Sequence, residues 1–221
     1  MTPTSAEIKK QEIIDQLAWN DSVNANEINV TVQGNTVILE GTVPSFAAKK
    51  AAEEDTYLIA GVSLVENRLE VEHPPETILP NDPEIESNLE AKLLWNSQLN
   101  AANIKVRSEN GLITLTGEVD SYWEKRLAEN IAGSATGVIS VNNELKVKPR
   151  KATMDIDIEN DIKSAYIRSA LVDEKAIQVS VNDGHVHLSG IVPFYAMKKE
   201  ILDIANNTSG VVDVVDEVTI G

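Results

Sequence analysis

One phrase occurs three times in this chain: a turn, a short alternating strand, and a glycine. It reads Asn35-Thr36-Val37-Ile38-Leu39-Glu40-Gly41, then Gly111-Leu112-Ile113-Thr114-Leu115-Thr116-Gly117, then Gly184-His185-Val186-His187-Leu188-Ser189-Gly190. A further glycine follows each phrase at the same distance, with Gly41 to Gly61, Gly117 to Gly137 and Gly190 to Gly210 all twenty residues apart. Unrelated segments do not keep such spacing, so the chain consists of three copies of one unit. Successive copies begin 76 and then 73 residues apart (Gly41, Gly117, Gly190). A unit of that size buries only about 60% of the surface its unfolded chain exposes. The chain has no cysteine, so each small core rests on packed Ile, Leu and Val alone.

Each copy opens with a helix signal. Ile85, Leu89 and Leu93 recur every four residues, matched by Ile13 and Leu17 in the first copy and by Ile162 and Tyr166 in the third. Asp82 is expected as N-cap with Pro83 at the first helical position. Two alternating strands follow, joined by Gln33-Gly34-Asn35, Glu109-Asn110-Gly111 and Asn182-Asp183-Gly184, which supply the positive φ of a tight hairpin. A second helix starts after Pro44, Asp120 or Pro193, its inner face lined by Ala48, Ala52, Ala128, Ala132 and Ala205. Gly61, Gly137 and Gly210 are expected as its left-handed caps. A third strand closes each unit.

The expected class is therefore α+β: three tandem αββαβ modules, each a three-stranded sheet with two helices packed on it. The boundaries are 1–72, a proline-rich linker 73–82, 83–148, a basic linker 149–153, and 154–221.

The order of elements, the turn–strand–glycine phrase, the helix starts and the closing Gly-Val together resemble the BON domain. The middle copy carries this best, from Leu94-Trp95-Asn96 through Gly117-Glu118-Val119-Asp120-Ser121-Tyr122 to Gly137-Val138. The resemblance implies association with osmotic and envelope stress. It also implies phospholipid binding at membrane surfaces, assistance to other proteins, or, in one cytoplasmic type, potassium binding.

The formal net charge is −16. Such a field repels nucleic acid and anionic bilayers at long range, so an anionic partner needs a local basic patch. One motif offers it. At the start of the second helix an aromatic residue precedes two cations: Phe46 with Lys49 and Lys50, Tyr122 with Lys125 and Arg126, Tyr195 with Lys198 and Lys199. Cations near a helix N-terminus oppose the macrodipole by about 0.3–1 kcal/mol each, so their repetition points to a use, such as an anionic head group. Trp123 makes the middle copy the first candidate. The competing reading pairs these cations with Glu53, Glu54, Glu129 and Asp203 on the same helices, or with acids of the first helix.

Asn67, Asn143 and Asp216 fall on the inward parity of the last strand and need a partner there. Backbone at the strand entry, or a bulge that shifts the count, is the first expectation and a small ligand or cation the second. His185 and His187 share one strand face at a spacing that could ligate a metal, but no third ligand is evident and they read as surface residues. Trp19 and Trp95 read as lids over the core. No catalytic set, cofactor motif or metal-ligand spacing is present in the sequence.

The expected function is a non-enzymatic, stress-associated binding protein acting on phospholipid head groups or protein clients. The alternatives are a potassium- or solute-binding protein and a chaperone-like role. The expectation extends to a monomer without nucleic-acid partners or a transmembrane segment. The first residues, Met1 to Glu7, carry no export signal, which points to the cytoplasm, with the periplasm as the alternative for a trimmed chain.

Overall fold

The computed structural model describes residues 4–221. Within them each copy folds as α–β–β–α–β. The first module comprises α1 (Ser5–Trp19), β1 (Ile28–Gln33), β2 (Thr36–Val43), α2 (Phe46–Tyr57) and β3 (Leu64–Val71). The second comprises α3 (Asp82–Trp95), β4 (Ile104–Glu109), β5 (Leu112–Val119), α4 (Tyr122–Gly133) and β6 (Ser140–Val147). The third comprises α5 (Asp155–Arg168), β7 (Ile177–Asn182), β8 (His185–Val192), α6 (Tyr195–Asn207) and β9 (Asp213–Ile220). In every sheet the middle strand of the sequence is also central in space, antiparallel to the first and parallel to the third.

The alternation of the strands sends Val37, Leu39, Ile113, Leu115, Val186 and Leu188 into three separate cores. The helix stripes Ile13/Leu17, Ile85/Leu89/Leu93 and Ile158/Ile162/Tyr166 close over them. Tyr166 takes a leucine's place, and its buried hydroxyl donates to the Ile201 carbonyl at 3.1 Å.

The glycine that ends each repeated phrase has a steric cause. A Cβ on Gly117 would lie 1.9 Å from the carbonyl oxygen of Asn103, in the single 3-10 turn (Ala101–Asn103) that leads into β4. Gly41 and Gly190 are approached in the same way by Glu27 and Ala176, at 2.0 and 2.2 Å. Only glycine lets the backbone of the preceding turn come this close.

Two local expectations are corrected. The second helices end at Tyr57, Gly133 and Asn207, so Gly61, Gly137 and Gly210 lie in the following turn instead of capping them, although all three keep positive φ. The N-cap of α3 is Asn81, not Asp82; its side chain accepts from Glu84 N and Glu84 accepts from its backbone. Asp82 is thereby free for other work. Its carboxylate accepts from Ser108 Oγ at 2.6 Å, Asn110 N at 2.8 Å and Gly111 N at 3.1 Å, clamping the β4–β5 turn. Asp155 does the same for Asp183 N and Gly184 N. The first module has Ala6 at this place, and there Lys9 ties the loops, donating to the Gly61 carbonyl at 2.8 Å and the Gly34 carbonyl at 3.4 Å.

Candidate functional site: the module seams and the first-helix ends

The aromatic–cation motif begins each second helix because Ser45 and Ser121 cap the first two, accepting from Ala48 N and Glu124 N. The first turn therefore projects its aromatic away from the home core. In all three copies that aromatic meets the next module. Phe46 packs, partly buried, against the core of the second module and lies so close to Gly133 that a Cβ there would sit 2.9 Å from the ring. Tyr122 packs in the same way against the core of the third. Tyr195 stacks on Tyr57 of the first, ring centroids 4.4 Å apart and planes 9° from parallel.

Gly133 and Tyr57 are both eleven residues beyond the aromatic of their own helix. The seams therefore run head to tail, first to second, second to third, third to first, and close on themselves, as heterologous contacts do when their rotation completes a ring.

The second cation of each motif follows the same path. Lys50 Nζ lies 3.5 Å from Glu129 Oε1, Arg126 Nη1 3.2 Å from Asp203 Oδ1, and Lys199 Nζ 3.4 Å from Glu54 Oε2. These are the acids expected as partners, reached across the seam instead of along the helix. Lys50 and Lys125 also lie over the rings of Phe46 and Tyr122, about 6 Å from the centroids. Trp123 is at the edge of exposure, lining with Arg126, Asp203 and Asn207 the cleft between the second and third modules. Burial at the seams raises the pKa of Tyr122 and Tyr57, and raises that of Tyr195 to about 12 with help from the nearby Glu54.

At the first cation of each motif the home strand is engaged, through the backbone carbonyl of Lys49 and Lys125 and through the side chain of Lys198. Asn67 Nδ2 donates to the Lys49 carbonyl at 2.9 Å and to Glu53 at 3.1 Å, while its Oδ1 accepts from Leu69 N. Asn143 repeats this with the Lys125 carbonyl, Glu129 and Leu145 N. Each inward amide thus accepts from its own strand but donates to the second helix, so the expected bond to backbone at the strand entry describes only half of the arrangement. In the third module Asp216 holds Lys198 instead, at 2.9 Å.

The histidines lie on the outer sheet face beside acids of β9, His187 Nε2 being 3.4 Å from Glu217 Oε1. Among the described residues no group of three or more His, Cys, Asp and Glu is arranged to hold a metal ion.

Trp19 and Trp95 are not lids. They stand 84% and 85% exposed at the last residue of α1 and α3, with Leu94 beside the latter 70% exposed. The core stripe ends at Leu17 and Leu93, and a residue two places on points about 200° around the helix from it. In the third module the helix end carries exposed Ile167. No described helix is long and apolar enough to cross a membrane.

Comparison with known proteins follows the internal repeat. The BON domain family model matches at residues 6–73, 81–149 and 155–221. The osmotically-inducible protein Y of Escherichia coli K12 is 32% identical over 135 residues, 60% of this chain and 67% of that protein. The 21 kDa hemolysin of Actinobacillus pleuropneumoniae is 28% identical over 153 residues, 66% of this chain and 77% of the relative. Among solved structures, CdsD of the type III secretion system of Chlamydia trachomatis aligns over 96% of this chain and 91% of its own at 13% identity, with a TM-score of 0.27. The PrgH periplasmic domain aligns over 94% and 98% at 11% identity, with a TM-score of 0.22.

Proposed function

Because this chain belongs to the BON domain family, with three tandem domains of it, we propose that it is a non-enzymatic binding protein that attaches to phospholipid surfaces through the exposed ends of its first helices. The observation that carries this reading is the pair Trp19 and Trp95, each more than four-fifths exposed where a soluble protein would ordinarily cover an indole. Tryptophan partitions to the boundary between head groups and acyl chains, because its ring is apolar and its N–H needs a polar partner. Leu94 and Ile167 add apolar surface at the equivalent helix ends.

The aromatic–cation motif then has a different task. Phe46, Lys50, Tyr122, Arg126, Tyr195 and Lys199 hold the modules together, Lys49, Lys125 and Lys198 meet the home strand through backbone or side chain, and the ring fixes the spacing of the helix ends. Trp123 at the second seam is the exposed aromatic of the candidate set and is available to a head group. Fixed spacing turns weak contacts into avidity, because the second contact forms within a molecule already held at the surface.

The charge of −16 sets the salt dependence. Attachment by apolar insertion against a repulsive field strengthens with salt on anionic vesicles and is indifferent to salt on zwitterionic ones. Vesicle co-sedimentation of the wild type and of Trp19→Ala/Trp95→Ala tests this. Loss of binding in the double variant is the expected result. Unchanged binding by the tryptophan variant would sink the reading. A protein client is the second reading, favoured by the same exposed indoles, and it predicts that the double variant loses the ability to suppress aggregation of an unfolded client while vesicles make no difference.

A further inference from the structure

Two of the three seams are bridged by the polypeptide, and the third is not. The first and second modules are joined through residues 72–81 and the second and third through 148–154. Among the described residues the third meets the first through the Tyr195–Tyr57 stack and the Lys199–Glu54 pair, with no connecting chain. That seam is also the least apolar. Phe46 and Tyr122 are partly buried and pack directly against the cores of the modules they touch, whereas Tyr195 reaches the first module by stacking on Tyr57, which itself packs at the margin of that core. The accompanying ion pair, Lys199 with Glu54, has both side chains about half exposed, 49% and 55%, and an exposed pair contributes little.

The charge on either side of this seam is unequal to its neighbours. Residues 1–76 carry five Lys and Arg against thirteen Asp and Glu, and residues 150–221 carry seven against twelve. The middle segment, 77–149, has seven against ten. The ring thus closes by bringing its two most acidic parts together. At an ionic strength of about 0.01 M the Debye length is about 30 Å, on the scale of a whole module, and at about 0.1 M it falls to about 10 Å. Salt therefore removes module-wide repulsion, while it weakens one attractive pair and leaves the tyrosine stack untouched. The repulsion involves many charges and the attraction one pair, so screening favours closure.

We propose that the seam between the third and first modules is a latch governed by ionic strength, shut in concentrated salt and open in dilute. Opening it uncovers Tyr57 and Tyr195 and releases the spacing between the first and third modules, while the tethered order of the chain keeps the modules close enough to close again. This inference stands independently of the lipid reading.

The absence of cysteine makes the test direct. Energy transfer is measured between dyes at Gln11→Cys and Ser164→Cys, exposed positions in the first and third modules. The control pair is Gln11→Cys with Ser87→Cys, spanning the first and second. Raising the salt from about 0.01 M to about 0.5 M increases transfer for the first pair and leaves the control unchanged. Tyr195→Ala lowers transfer across the latch at every salt concentration. Lys199→Glu shifts closure to higher salt, and adding Glu54→Lys restores it. Transfer across the latch that is independent of salt, or that changes in step with the control pair, overturns the proposal.

Discussion

Lys198 Nζ lies 2.9 Å from Asp216 Oδ2 and donates to the Val218 carbonyl at 2.6 Å, tying α6 to β9 in a way that neither other module uses. The first two modules place Asn67 and Asn143 where Asp216 stands, and both amides donate to a helix carbonyl and to a glutamate on the same helix. An aspartate cannot donate to that carbonyl when ionised, and beside a glutamate it would meet a like charge. The third copy avoids both difficulties: Leu202 stands where Glu53 and Glu129 do, and the lysine turns inward to supply the missing charge. Asn143→Asp is therefore expected to cost about 1–3 kcal/mol, through a lost donor and repulsion from Glu129. Asp216→Asn, which leaves a lysine without its acid but adds no repulsion, costs about 1 kcal/mol. Denaturant melts of the two variants check the order.

Phe46 and Gly133 give a second test, because the ring leaves no room for a Cβ. Alanine is favoured over glycine inside a helix by about 1 kcal/mol, but at this site it must displace the ring that seals the first seam. Gly133→Ala is expected to be neutral or destabilising in the wild type. In a Phe46→Leu background the same change becomes stabilising by about 0.5–1 kcal/mol. A double-mutant cycle in thermal or denaturant unfolding reads the coupling directly.

The legible and illegible parts of this molecule divide along a physical line. Strand alternation, the four-residue helix stripe and the glycine spacing record what each side chain does within its own module, and these give the αββαβ order and the three cores. The need of Asn67 and Asn143 for a local bond is legible for the same reason, since inward parity demands one, but the helix carbonyl and glutamate that take their amide donors are not. The acids that meet Lys50, Arg126 and Lys199 were also identifiable, but not the module that presents them. Identical helices in every copy make a bond along one helix and a bond to its neighbour look alike in sequence. The exposure of Trp19 and Trp95 was available in principle from their angle to Leu17 and Leu93. The expectation that large aromatics cover cores outweighed it.

Asp82 makes the hairpin turn of the second module sensitive to acid. Hydrogen bonds from Ser108, Asn110 and Gly111 hold its carboxyl below the usual aspartate range. A depressed folded pKa means that its stabilising contribution is complete above the unfolded value, about 3.9, and is lost as pH falls through the lower folded one. Asp82→Asn should lower the melting temperature at neutral pH and narrow the gap to wild type as the solution is acidified below about pH 4. A constant gap across that range would mean that the carboxylate's charge is irrelevant to the clamp.

The four tyrosines report on alkaline stability in the opposite sense. Tyr57, Tyr122, Tyr166 and Tyr195 are all raised above the ordinary phenol value, burial being the largest cause in each, and Tyr195 reaches about 12. The neutral phenol is the form the fold favours, so the contribution is fully present below the unfolded pKa of about 10 and is lost as pH rises through the higher folded values. Ultraviolet titration of the native chain should show little tyrosinate at about pH 10, where the unfolded chain is half ionised. Tyr166 lies in the core of the third module, and its ring shares no seam. Tyr57 and Tyr195 face one another across the unbridged seam. Tyrosinate should therefore form last at Tyr166. A Tyr166→Phe variant that leaves the early part of the titration unchanged and removes its final part would establish this, and one that diminishes the early part would refute it.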